Sequence, residues 1–192
     1  MSGRKVLIFA LTSAIIMPWV FSCGGDNSGS PIENQKIFGE AMENFREGEY
    51  DLALGGFQEA AARAPDDIKP VLGMTWCYLM KGEDEKAKAM MDKAVRLDPD
   101  DPELNAMLCW RYLGEGKYKS ALACAQKTLS SSTFTSAFQP SLDDESIKAA
   151  MAFAYFQMRD YTSAAEVLGV EGEGDMRALK EKLISEIEDA LR

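Results

Sequence analysis

Three consecutive 34-residue segments, starting at Asn34, Ile68 and Pro102, align without gaps and share one pattern of apolar and polar positions. Count each start as position 1. Positions 4, 8 and 11 then lie on one helical stripe, at about 100° per residue. They hold Ile37, Ala41 and Asn44, then Val71, Thr75 and Tyr78, then Asn105, Cys109 and Tyr112. Gly48, Gly82 and Gly116 follow at position 15, where glycine ends a helix and allows a tight turn. A second stripe at positions 20, 24 and 27 reads Ala53, Phe57, Ala60 and then Ala87, Met91, Ala94. Its small residues let two helices approach closely. Pro65 and Pro99 at position 32 stop the second helix. Each segment therefore predicts two antiparallel helices, neither able to bury its stripe alone, so the units must stack.

A fourth unit fits from Glu145, with Ala152, Tyr155, Tyr161, Ala164 and Leu168 in register and Arg159 in place of the turn glycine. Nine extra residues precede it. The segment 130–144 is rich in Ser and Thr and carries Phe134 and Phe138. Burial of both rings on the helices is the expectation, because large apolar groups gain by leaving water. An exposed contact loop is the alternative. Residues 176–191 predict a last helix with Met176, Leu179, Leu183, Ile184, Ile187 and Leu191 apolar and Asp175 as its N-cap. Such a helix covers the otherwise bare final unit.

The period, with small, aromatic, Ala and Pro residues at these offsets, resembles the tetratricopeptide repeat. The resemblance implies an all-α fold: a right-handed α-solenoid of about four antiparallel helix pairs, with a C-terminal capping helix. The solenoid would span 34–171, with repeats 34–67, 68–101, 102–135 and 145–171, and the capping helix 175–192. It also implies that the first helices line a concave groove through positions 2, 5, 9 and 12. Position 5 holds Phe38, Leu72, Ala106 and Ala149; position 9 holds Met42, Trp76, Trp110 and Phe153; position 12 holds Phe45, Leu79, Leu113 and Phe156. Position 2 is polar: Gln35, Lys69, Glu103 and Ser146. An apolar stripe this long marks a contact surface. The expected binding groove is thus Phe38, Met42, Phe45, Leu72, Trp76, Leu79, Trp110, Leu113, Phe153 and Phe156. Its occupant is either a partner protein's helix or extended segment, or an internal filler: the C-terminal helix, the inserted loop or a second copy in a homo-oligomer.

Residues 1–22 differ from the rest. Arg4 and Lys5 precede an uncharged apolar run from Val6 to Val20, the layout of a secretory signal. The run ends Val20-Phe21-Ser22-Cys23, which resembles the lipobox of bacterial lipoproteins. The resemblance implies cleavage before Cys23 and acylation of that cysteine, with 23–33 as lipidated residue and flexible tether. Gly24 rather than Asp after the cysteine points to the periplasmic face of an outer membrane. An ordinary signal peptide, or an uncleaved anchor, is the alternative.

Charge narrows the function. With 21 Lys and Arg against 31 Asp and Glu, the net charge is −10, which disfavours nucleic-acid partners. The chain has no histidine, so the commonest general base and metal ligand are missing. No phosphate loop, nucleophile elbow or zinc spacing occurs, and the acidic run 98–103 lacks the glycine and distant glutamate of a calcium loop. It reads as an inter-repeat turn and helix cap. No catalytic residue, metal or cofactor is expected. Among Cys77, Cys109 and Cys124, a Cys109–Cys124 disulfide is the expected pairing, with buried free thiols as the alternative.

Together these readings predict a non-enzymatic, membrane-tethered adaptor or assembly factor that holds a protein partner in the periplasm. The alternatives are a carrier or chaperone for apolar cargo, and a factor resembling the pilotins of secretin and type IV pilus assembly.

Overall fold

A computed structural model describes residues 30–130, 133–169 and 176–190. Within them the chain forms α1 (Pro31–Arg46), α2 (Tyr50–Arg63), α3 (Ile68–Met80), α4 (Asp84–Leu97), α5 (Pro102–Gly114), α6 (Tyr118–Ser130), α7 (Asp144–Gln157), α8 (Tyr161–Leu168) and α9 (Met176–Ala190). The pairs α1/α2, α3/α4, α5/α6 and α7/α8 are antiparallel hairpins stacked in chain order. The fold is the all-α tetratricopeptide-type solenoid. Among the described residues the only β-type pairing is an isolated bridge between Thr135 and Asp143. No described helix is long and apolar enough to cross a membrane. The expected signal peptide, Cys23 and much of the tether lie outside the described residues, as do Asp175, Leu191 and the side chain of Ile187.

Local chemistry sets the helix ends. Gly48, Gly82 and Gly116 take φ of +83°, +70° and +69°, the left-handed conformation that closes a helix. The N–H two residues past the last full turn bonds back each time, as Glu49 N–H does to Asn44 O at 2.9 Å. In the fourth hairpin Arg159 makes the same turn at φ +62°, and Asp160 N–H reaches Tyr155 O at 2.9 Å. The hydrogen bonds of the turn are thus kept, at the steric expense of a Cβ in left-handed space. Helix starts are capped by Asp67, Asp101, Asp143 and Asp160, whose carboxylates accept from backbone N–H groups. Asp101 lies in the acidic run 98–103, which therefore serves as turn and cap.

The two stripes read from the sequence meet in the core. Ala41 and Val71 share one buried cluster with Ala53, Phe57, Met91 and Ala94 of the second helices, and Cys109 shares the next with Ala121 and Ala125. A β-carbon on Gly73 would sit 2.8 Å from the Phe57 ring, so glycine is what admits that ring between α2 and α3. The polar core positions are satisfied locally. Thr75 Oγ1 donates to Val71 O at 2.8 Å, and Asn105 Nδ2 donates to Pro99 O at 3.0 Å and Asp101 O at 2.9 Å. At the far end, Leu179 and Leu183 of α9 pack on Ala152, Ala164 and Leu168, giving the last hairpin an apolar cover.

Stacking is uneven. Helix α2 lies along α3, and α6 along α7, but α4 meets α5 only over a short stretch. The junction between the second and third hairpins is therefore splayed, and residues from the insert between α6 and α7 reach into it.

Candidate interaction groove

The residues expected to line an open groove fall into two groups. Met42, Phe45, Leu72 and Leu113 are buried, at 7%, 6%, 3% and 9% exposure. Phe38, Trp76, Leu79, Trp110, Phe153 and Phe156 are half-buried. They do not form one continuous open surface, because the chain covers much of the stripe itself. Phe138 of the insert packs edge-on to Phe45 at 5.6 Å and to Phe57 at 6.0 Å. Phe134 packs in the cluster of α5, α6 and α7 that also holds Leu113. Both rings are buried, as burial of apolar surface favours. Phe153 meets Tyr118, Phe156 meets Tyr161, and both touch the cluster that α9 completes.

The insert is held by one carboxylate. Glu103, in the first turn of α5, is 9% exposed. Its Oε1 accepts from Trp76 Nε1–H at 2.8 Å and from Ser136 Oγ–H at 2.5 Å, and its Oε2 accepts from Ala137 N–H at 3.2 Å. Ser136 Oγ in turn accepts from the N–H groups of Phe138 and Gln139 at 3.2 and 3.0 Å. A Ser136 N–H to Leu142 O bond at 2.9 Å closes the segment on itself. Burial pushes the Glu103 carboxyl above its ordinary range, while the bonds from Ser136, Trp76 and Ala137 pull it partly back.

Glu103 is the residue that pattern reading undervalued, as one polar position in an apolar stripe. A usable signal exists. Position 2 of one unit sits beside position 9 of the unit before, so Glu103 and Trp76 are neighbours by the repeat arithmetic alone. Ser136 and the destination of Phe138 had no such signal.

What stays open is a cavity of about 550 Å³ at the splayed junction. Trp76 and Leu79 of α3, Met91 of α4, Met107 and Trp110 of α5, and Leu142 of the insert supply its apolar wall. Asp84, Glu85, Lys88 and Glu115 stand at its rim, all exposed. Arg111 is held over the Tyr112 ring at 4.9 Å and between Glu115 at 3.6 Å and Asp92 at 3.8 Å. Of the expected groove residues, only Trp76, Leu79 and Trp110 line this cavity.

The three described cysteines are free thiols. In place of the expected Cys109–Cys124 bond the two are free thiols: Cys109 is buried between α5 and α6 as a small apolar group, and Cys124 is half-buried against the same cluster. Burial pushes the Cys77 and Cys109 thiols up to about 12 and raises that of Cys124, so none carries the thiolate that nucleophilic chemistry needs at neutral pH. Among the described residues no group of three acidic or Cys side chains gathers as a metal site.

Residues 44–109, from the last turn of α1 to the middle of α5, match the tetratricopeptide repeat family. Among solved structures, MamA (residues 41 to the end) from Desulfovibrio magneticus RS-1 is similar at 17% identity, with 82% of this chain and 90% of that one covered and a TM-score of 0.58. A MamA RS-1 double mutant is similar at 16% identity, 83% and 95% coverage and a TM-score of 0.59. A MamA MSR-1 structure gives 13%, 83%, 95% and 0.54. At these identities the likeness is one of fold. No curated protein matches the sequence.

Proposed function

We propose that this tetratricopeptide-repeat protein is a protein-interaction adaptor, and that it takes one apolar side chain of its partner into the cavity between Trp76 and Trp110. The observation that carries the reading is the cavity itself. It lies where the stacking of the solenoid is splayed, and its lining contains two Trp and three Met side chains. Tryptophan is a frequent anchor at interfaces, and methionine adapts its shape to what it meets. At the rim, Asp84 and Glu85 have no ion-pair partner within 4 Å among the described residues, and the chain is acidic overall. A partner segment with Lys or Arg next to its apolar anchor suits that rim. The N-terminal layout supports a tether at Cys23 on the periplasmic face of an outer membrane, so that the adaptor acts in the cell envelope.

The test is a photoreactive amino acid placed in the full chain at Met80, which is exposed and lines the cavity, and separately at Val95, which is exposed and does not. The proposal expects one defined protein crosslinked from position 80 and not from position 95. Equal crosslinking from both, or lipid alone at position 80, contradicts it. The second outcome would favour a carrier of apolar cargo. Radiolabelled palmitate incorporated by the wild type but not by Cys23→Ala tests the tether.

A further inference from the structure

The segment 133–143 lies on the groove as a bound peptide would. Helices α2 and α3, and α4 and α5, are joined by short links, 64–67 and 98–101. The third hairpin reaches the fourth through 131–143, yet α6 packs along α7 as α2 does along α3. The extra length is therefore not needed to span the junction. It goes into contacts with Phe45 of α1 and Phe57 of α2, two hairpins back, and with Glu103 in the first turn of α5.

Those contacts have the form of recognition. Glu103 offers both carboxylate oxygens, and the segment meets them with a hydroxyl and a backbone N–H. The equivalent side chains of the first two hairpins, Gln35 and Lys69, are exposed. Two residues beyond the hydroxyl, Phe138 enters a ring-lined site between Phe45 and Phe57. A buried carboxylate is costly unless its acceptor sites are filled, so the site is built around an occupant that brings donors.

We propose that the surface formed by α1, α3 and α5, with Phe57 of α2 at its base, is a peptide-binding site, and that the chain's own insert is its ligand in cis. The ligand class follows from the contacts: a short uncharged segment with a small hydroxyl residue two positions before an aromatic one. Carboxylates near the hydroxyl are excluded by repulsion from Glu103. The site adjoins the Trp76–Trp110 cavity, with which it shares Trp76 and Leu142, and this proposal stands whether or not a partner enters that cavity.

Tethering gives the insert an effective concentration on the order of millimolar. A free copy of the same segment should therefore bind the wild type poorly and bind well once the insert is unseated. The experiment uses the full chain with Ser136→Ala and Phe138→Ala together, and a capped, uncharged synthetic peptide of residues 133–142 carrying a fluorophore. Anisotropy should show the double variant binding the peptide at least about tenfold more tightly than the wild type. The gain should vanish when the peptide carries the Phe138→Ala change. A variant with wild-type helical circular dichroism that binds neither peptide overturns the proposal, because the insert is then only a strut. Should the double variant lose its helices, Glu103→Gln gives the second reading, since it keeps the shape of the side chain. Amide exchange at Ala137 and Phe138 should then speed up about tenfold while α1 and α3 stay as protected as before. Unchanged exchange at those amides overturns the proposal equally.

Discussion

The Trp76 indole N–H donates to Glu103 Oε1 at 2.8 Å, across the boundary between the second and third hairpins. The same oxygen accepts from Ser136, so one carboxylate joins two stacked units and the insert. Glu103→Ala would leave the Trp76, Ser136 and Ala137 donors without their acceptor. Each buried unmet donor costs about 1–3 kcal/mol, partly offset by removing a buried charge. The expected outcome is a loss of about 2 kcal/mol in denaturant unfolding, with a shift in Trp76 emission. A loss within about 0.5 kcal/mol, the range of ordinary surface changes, would show that the contact carries little.

The pH dependence follows from the same carboxylate. Burial raises its pKa in the folded chain above the unfolded value of about 4.3. Between those two values the folded state holds the proton more tightly. Unfolding free energy therefore falls as pH rises through that window. Glu103→Gln removes this slope, while Asp101, also raised by burial and itself one of the charges that raise Glu103, remains in both proteins. Relative to Glu103→Gln, the wild type should lose stability as pH is raised from about 4 towards 7. Parallel profiles would contradict the assignment.

Arg159 holds a left-handed turn that glycine holds in the other three hairpins. A β-carbon there costs about 1–2 kcal/mol, and glycine returns part of that as backbone entropy. Arg159→Gly should stabilise the chain by about 1 kcal/mol, raising the midpoint of thermal unfolding by roughly 2–4 °C. An unchanged or lower midpoint would mean that the Arg159 side chain contributes as much as the turn costs.

The hairpins were legible because their signals are local. Gly48, Gly82 and Gly116 punctuate the turns, Pro65 and Pro99 mark the links, and the stripes repeat at a fixed period. Even the irregular fourth turn was visible, since Arg159 falls in register with three glycines. The filling of the groove was not. Periodicity says that Met42, Phe45 and Leu72 share a face; it does not say what covers that face. The cover comes from Phe138, far along the chain in a segment with no period, held by a contact between residues 103 and 136. Sequence reading weighed the insert as one filler among several, and nothing in its composition could choose the half of the groove it enters.

The cysteines give a chemical check on the interior. Cys77 and Cys109 are fully buried with thiols near 12, whereas Cys124 is partly exposed. In native protein at about pH 8, near an ordinary thiol pKa, Cys124 should react first with an alkylating reagent. Cys77 and Cys109 should follow only on unfolding, as read by mass spectrometry of the digested chain. Labelling of Cys77 as fast as Cys124 would contradict the packing between α3 and its neighbours.

The central claim is that the insert occupies the concave face, with Phe138 against Phe45. A double-mutant cycle with Phe45→Leu and Phe138→Leu, measured by denaturant unfolding of the full chain, addresses it most directly. Edge-on aromatic pairs couple by about 0.5–1.5 kcal/mol, so the double variant should lose less stability than its two parents combined by at least about 0.5 kcal/mol. Strict additivity of the two losses would place Phe138 elsewhere and contradict the account.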